Sequence, residues 1–353
     1  EKRRFYLLKI FDRCQIEYAF SDKTGTLTCN VMEFMKCSIA GQMYGTGTTE
    51  VAFAAAKRRG MQIEPPNRNG KAFRDARFQQ MISSGNPPEE VRNFLWLLSI
   101  CHSVIPEEDS TQPYGIAFQA SSPDEAALVK AAADFGYVFT NRTPTSVTLK
   151  VNGREVVVPV LAVLEFSSER KRSSVIIRHP ETNKIVLFCK GADDLIYQRL
   201  QKDSPNQFQT KEHLKQFAAD GLRTLCLAYR SIDENFYKEW SERFNEASCA
   251  IQNREERVNE VCNEIESDLH LLGATAIEDK LQLDVPDTIE ALLAGHVNVW
   301  VITGDKRETA INIGFACSLL SSDMRLITLD SSDPNVLLNQ MNSALSDNEN
   351  KLA

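Results

Sequence analysis

From residue 270 to about 330 the chain alternates between short strand-like runs and longer helical ones. "LHLLGATAIE" is followed by a helical stretch at 285–294, and "VNVWVIT" reads as a buried strand. A second helix covers 305–320, and "MRLITL" reads as a further strand. That β-α-β-α-β order is the mark of a parallel sheet with crossover helices. One more apolar strand, residues 16–20 within "QIEYAF", stands far away near the start of the chain. It is expected to join the same sheet, which makes the intervening segment an insertion.

The insertion follows a different pattern. "VTLKVNGREVVV" turns on Asn152-Gly153 and "SSVIIRHPETNKIVLFC" turns around 179–183, two hairpins that predict an antiparallel sheet. In "ASSPDEAALVKAAADFG", Ser122 and Glu125 have capping-box spacing, Pro123 suits the first turn and Gly136 can close the helix. Another helix starts at 88–90, and residues 235–268 are charged and helix-rich. Residues 31–47 read as a strand pair. Residues 48–90, with two Pro-Pro pairs, read as a long surface excursion. Residues 1–14 are unassigned, and a linker remnant fits them as well as a native element does. A chain of 353 residues has room for two cores. The expected units are 1–32 with 270–353, and 33–269 inserted between them.

A formal charge of −8 argues against nucleic acid as a general partner. The short basic runs "KRR" (57–59) and "RKR" (170–172) read as solvated surface. The nine cysteines show no CxxC or Cys/His pairing, which excludes a zinc site and predicts reduced thiols in a cytosolic setting. No signal peptide is evident. The most apolar run, "VVVPVLAVL" at 156–164, is too short to span a bilayer, so the chain as given reads as soluble.

Two strand ends carry chemistry. Asp22 follows "EYAF" and opens "DKTGTLT", a turn rich in hydroxyls and backbone donors. "TGD" at 303–305 follows "VNVWVI". In open α/β sheets ligands gather at the carboxyl ends of strands. There Asp22 can attack phosphorus or simply make a turn. Thr303 offers a hydroxyl, Gly304 lets backbone approach an anion, and Asp305 can cap the next helix with Glu308.

Together, "DKTGTLT" and "TGDKRETAINIG" (303–314) resemble the phosphorylation domain of a P-type ATPase, a member of the haloacid-dehalogenase superfamily. "ASSPDEAALVKAA", "LEFSSERKRSSVIIR", "CKGADDLIYQRL", "GLRTLCLAYR" and "LLGATAIEDKLQ" resemble the type IV branch, the phospholipid flippases. The match runs in order from Gln15 to about residue 330. The resemblance implies an α/β fold: a haloacid-dehalogenase-like parallel-sheet phosphorylation domain interrupted by an α+β nucleotide-binding domain with an antiparallel sheet. It implies ATP and Mg²⁺ as cofactors and Asp22 as the nucleophile that takes the γ-phosphoryl group. Lys23 would neutralise charge, Asp22 and the Thr24 carbonyl would hold Mg²⁺, and Thr26 would bind a phosphoryl oxygen. Thr303 and Gly304 would clamp that group, with Asp305 near the nucleotide. In the inserted domain Phe166 would stack on adenine, Glu125 would contact the base, Lys190 would line the adenine pocket or reach the phosphates, and Arg223 would meet the phosphates.

Thr24 separates a pump from a soluble haloacid-dehalogenase phosphatase, which carries a second aspartate there as proton shuttle. A cation-transporting P-type pump fits less well, because no "DPPR" stretch is present. The parent is then expected to be a flippase that moves aminophospholipid to the cytoplasmic leaflet through an aspartyl-phosphate. Its membrane helices are expected in segments absent here, its expected partner is an accessory β subunit, and this chain is expected to be a cytosolic loop at the plasma, Golgi or endosomal membrane. Residues 1–14 depart from the family, and "GDGxNDx", a further lysine and the "DGET" loop are missing. A fragment of this kind is expected to bind ATP without turning it over.

Overall fold

A computed structural model describes residues 16–66, 72–305 and 307–349. Among them the chain forms β1 (Tyr18–Asp22), β2 (Thr28–Ile39), β3 (Gln42–Tyr44), β4 (Ile105–Glu108), β5 (Ile116–Gln119), β6 (Tyr137–Thr143) and β7 (Ser146–Val151). β8 (Arg154–Leu164), β9 (Arg172–Arg178), β10 (Ile185–Gly191), β11 (Arg223–Ile232), β12 (His270–Leu281) and β13 (Asn298–Ile302) complete the strands. Nine of these make one antiparallel sheet in the order β3-β2-β12-β11-β10-β9-β8-β7-β6. β4 and β5 form a small hairpin, and β1 pairs with β13 in parallel.

Helices cover both faces of the large sheet, so its central strands are apolar on both sides. Along β10, Val186 and Phe188 face the core shared with helices Glu89–Ile100 and Pro123–Asp134. Ile185, Leu187 and Cys189 point the other way, to Leu214, Trp240, Cys262 and Ile265 on the opposite helices. That is the period-2 alternation of a strand. The hairpin between β7 and β8 turns as expected: Asn152 and Gly153 both have positive φ, at 48° and 83°. The eight described cysteines form no disulfide with one another. Among the described residues no helix is long and apolar enough to cross a membrane.

β2 and β12 link the two sheets. Their ladder starts at Thr28 and Leu281, just beyond the turn after Asp22, and ends at Ile39 and Gly273 deep in the large sheet. This corrects the reading of "LHLLGATAIE" as the first strand of a parallel alternation. A strand buried on both faces reads as continuous apolar sequence in either kind of sheet, so pattern alone does not assign its neighbours. Parallel pairing between named strands is confined to β1 and β13 among the described residues. "MRLITL" forms no strand; Met324, Leu326, Ile327 and Leu329 lie exposed in irregular chain.

Three further expectations change. Residues 48–90 are not wholly surface: helix Glu50–Arg58 buries Val51, Ala55 and Ala56, and Phe73 and Phe78 enter the main core. Arg59 of "KRR" donates to Asn312 at 3.1 Å and lies over the Phe315 ring. "RKR" is not a solvated edge either, for Arg170 and Arg172 are buried beside Glu266, Arg172 Nε donating at 2.6 Å. Burial is affordable there because the carboxylate and carbonyls satisfy both guanidinium groups.

Candidate functional site

β1 ends at Asp22, level with Ile302 of β13, so both strands deliver their carboxyl ends to one edge. Past Asp22 the chain makes a tight turn through Lys23–Leu27, with Gly25 at φ 76°, a left-handed conformation that glycine adopts without strain. The Lys23 N–H donates to Asp22 Oδ1 at 2.7 Å, and the Gly25 N–H donates to Thr28 Oγ1 at 3.0 Å. Asp22, Thr24 and Thr26 are exposed on this turn. On the neighbouring loop Thr303 Oγ1 accepts from the Asp305 N–H at 3.1 Å, and space is open beside Gly304.

Lys23 is 1 % exposed, and its ammonium points inward rather than out beside Asp22. Nζ donates to Asp305 Oδ2 at 2.6 Å and lies 3.4 Å from Asp279 Oδ2. One cation thus ties the Asp22 turn, the end of β12 and the "TGD" loop together. Asp279 is buried, and neither of its carboxylate oxygens has a hydrogen-bond partner. No candidate list drawn from motifs includes it. The expected pairing of Asp305 with Glu308 falls on a side chain outside the described residues, as does Gln15.

The second cluster lies where β8, β9 and β10 meet the start of helix Pro123–Asp134. A cavity of about 380 Å³ is lined by Cys101, Ser103, Glu125, Arg142, Val163 and Phe166, among others. Phe166 is 64 % exposed at its wall, so it does not fill the sheet core. Lys190 is buried on β10, and its Nζ donates to Glu125 Oε1 at 2.7 Å. Glu125 does not complete a capping box: Ser122 makes no side-chain cap, and Glu125 Oε2 accepts instead from Ser103 N–H and Oγ at 2.8 and 2.6 Å. Burial pushes the Glu125 carboxyl up, but Lys190 and Ser103 outweigh it and hold it down at about 2.

Arg223 stands beside this cluster rather than in its wall. Its guanidinium lies 3.4 Å from Asp124, the residue before Glu125. Burial raises the Asp124 carboxyl; Arg223 opposes this, Asp279 adds to it and Lys23 opposes it. Asp124 thus lies within the field of charged groups from both clusters. Close by, burial raises Glu278 to about 7 while the Glu50 and Val51 N–H groups, which donate to it, pull it down.

A deep antiparallel sheet carries a cavity walled by Phe166 and Glu125, with Lys190 buried behind Glu125, and two strands join it to an aspartate at a parallel strand end, an arrangement suited to handling a nucleotide. The family model for the P-type ATPase cytoplasmic domain N matches residues 90–284, more than half of the chain, and the chain belongs to this family. Among curated relatives, phospholipid-transporting ATPase IC of Homo sapiens is 48% identical over 316 residues, 88% of this chain and 24% of that protein. Phospholipid-transporting ATPase DNF1 of Chaetomium thermophilum is 43% identical over 348 residues, 89% of this chain and 22% of that protein. Phospholipid-transporting ATPase IK of Mus musculus is 46% identical over 325 residues, 92% of this chain and 24% of that protein. The chain spans about a quarter of the length of these relatives.

Proposed function

We propose that this chain is the nucleotide-binding and phosphorylation region of an ATP-driven phospholipid flippase, a cytosolic loop in which Asp22 becomes an aspartyl-phosphate. The observation that carries the reading is the shared edge of β1 and β13. It sets Asp22 beside the Thr303-Gly304-Asp305 loop, with Lys23 bonded to Asp305. A carboxylate oxygen of Asp22 attacks the γ-phosphorus, the bond to ADP breaks, and an acyl phosphate forms. Thr26, Thr303 and the open backbone beside Gly304 receive the phosphoryl oxygens. The Asp22 carboxylate and the Thr24 carbonyl are hard oxygen donors that suit Mg²⁺, which when bound offsets the repulsion between two anions.

In this reading Phe166 stacks on the base, Glu125 and Lys190 line its pocket, and Arg223 meets the phosphates. We assign residues 1–32 and 270–353 to a haloacid-dehalogenase-type phosphorylation domain and 33–269 to the inserted nucleotide-binding domain, with the β2–β12 ladder crossing that boundary into the large sheet. The lipid substrate, proposed as an aminophospholipid, an accessory β subunit and a plasma, Golgi or endosomal membrane are reached through the rest of the parent protein. The test uses the complete protein with ATP and Mg²⁺. It is expected to form an acid-stable, hydroxylamine-labile phosphoenzyme that Asp22→Asn abolishes, and aminophospholipid vesicles should stimulate turnover. Undiminished labelling of Asp22→Asn removes the assignment, and stimulation by a cation instead of lipid removes the flippase reading.

A further inference from the structure

The turn between helix Glu89–Ile100 and β4 is held more firmly than a connector requires. His102 is buried within it, with Nε2 at 2.8 Å from the Ser99 carbonyl and the Val104 N–H donating to Nδ1 at 3.2 Å. A donor on one nitrogen and a carbonyl on the other fix a single neutral tautomer, with the proton on Nε2. Arg142 of β6 braces the same turn from outside. Its guanidinium donates to the carbonyl of Ile100 at 3.0 Å and to that of His102, and lies 5.6 Å from the Phe139 ring. Its two terminal nitrogens are thus committed to backbone carbonyls rather than to a carboxylate, while its buried Nε has no hydrogen-bond partner among the described residues.

Held in this way, Ser103 directs both its N–H and its hydroxyl at one oxygen of Glu125, while Lys190 takes the other. Lys190 alone would leave the carboxylate free to swing, since an ammonium is a point charge without a directional fork. Two donors converging on Oε2 remove that freedom. We infer that Ser103, on a turn braced by His102 and Arg142, is a positioning residue that fixes the Glu125 carboxylate and makes the cavity select adenine over guanine.

The inference rests on the reading of this cavity as the base pocket. A carboxylate accepts hydrogen bonds and gives none. Fixed in one place, it receives the 6-amino group of adenine and opposes the 6-oxo oxygen of guanine. A carboxylate that can swing reaches the N1–H and 2-amino donors of guanine instead, and discrimination falls.

The test is titration of this chain with ATP and GTP, followed by NMR, in the unaltered form and as Ser103→Ala, Ser103→Thr and Phe166→Ala. Ser103 is exposed, so its replacement leaves the fold in place. Ser103→Ala is expected to weaken ATP about five- to ten-fold, the loss of a hydrogen bond to a charged group, without weakening GTP. Ser103→Thr, which keeps the hydroxyl, should restore the ATP-to-GTP ratio, and Phe166→Ala should weaken both nucleotides alike. A Ser103→Ala ratio equal to that of the unaltered chain overturns the positioning role. Binding of neither nucleotide by the unaltered chain overturns the base-pocket reading, and the inference with it.

Discussion

Phe166→Ala separates binding from folding, because the two claims on this ring differ in size and sign. The ring is 64 % exposed, whereas Leu164, two residues earlier on β8, is 2 % exposed and packs in the core. Truncating a core phenylalanine costs ~3–5 kcal/mol, while an exposed substitution stays within about 0.5 kcal/mol. Stacking on a base is worth ~1–3 kcal/mol. For an ATP affinity in the millimolar range, ~−4 kcal/mol, a loss of ~1.4 kcal/mol is a ten-fold weaker dissociation constant. The assay pairs an NMR titration with ATP and a thermal melt of the same variant. The expected result is a roughly ten-fold loss of affinity with an almost unchanged melting temperature. Unchanged affinity, or a melting temperature lower by about 10 °C, would return Phe166 to the core and refute the stacking argument.

Glu266→Gln should destabilise the chain by ~3–5 kcal/mol in urea unfolding, because it strips the counter-charge from two buried arginines. A loss below about 1 kcal/mol would mean that carbonyls alone satisfy Arg170 and Arg172. Glu278 gives a pH dependence of known sign. Its folded-state value of about 7 lies above the ordinary 4.5, so the native chain binds the extra proton and stability falls as pH rises between those values. Fully developed, the loss is about 3 kcal/mol, and Glu278→Gln should flatten the slope measured by urea unfolding between pH 5 and pH 8. A slope that survives the substitution places the proton elsewhere. Finally, this chain is expected to bind ATP without releasing phosphate, since each preorganised electrostatic contact missing from a phosphoryl-transfer site costs about 10²–10³ in rate. Asp22-dependent phosphate release at pump-like rates would show the site to be complete in this chain.

Local signals were legible wherever the residue itself dictates the backbone. Asn152-Gly153 demands a turn, Pro123 opens a helix, and alternating valines in "VTLKVNGREVVV" demand a strand. What the sequence leaves open is partnership between distant segments. β12 reads as apolar throughout because sheet neighbours and helices cover it, and that is true of a central strand in either sheet type. The helix Glu50–Arg58 hid for a related reason. It buries only three small or β-branched residues, and its capping carboxylate, Glu278, comes from the far end of the chain.

The same limit decides which site residues could be found. Asp22, Lys190 and Phe166 sit in motifs whose residue types state their chemistry. Ser103 does not, because a serine after a helix is an ordinary connector until the structure shows Glu125 within reach of both its donors. Asp279 did leave a trace. It stands next after Glu278 at the close of the apolar run "LLGATAI", where a carboxylate must be either exposed or paired, since an unpaired buried charge costs several kcal/mol. The sequence leaves both outcomes open; the structure buries Asp279 and so requires a partner. Lys23 supplies it from the opposite end of the chain, and β2 and β12, by pairing, bring the two together. The long antiparallel ladder therefore has a chemical consequence beyond architecture: it is what closes the Asp279–Lys23–Asp305 bridge beneath Asp22.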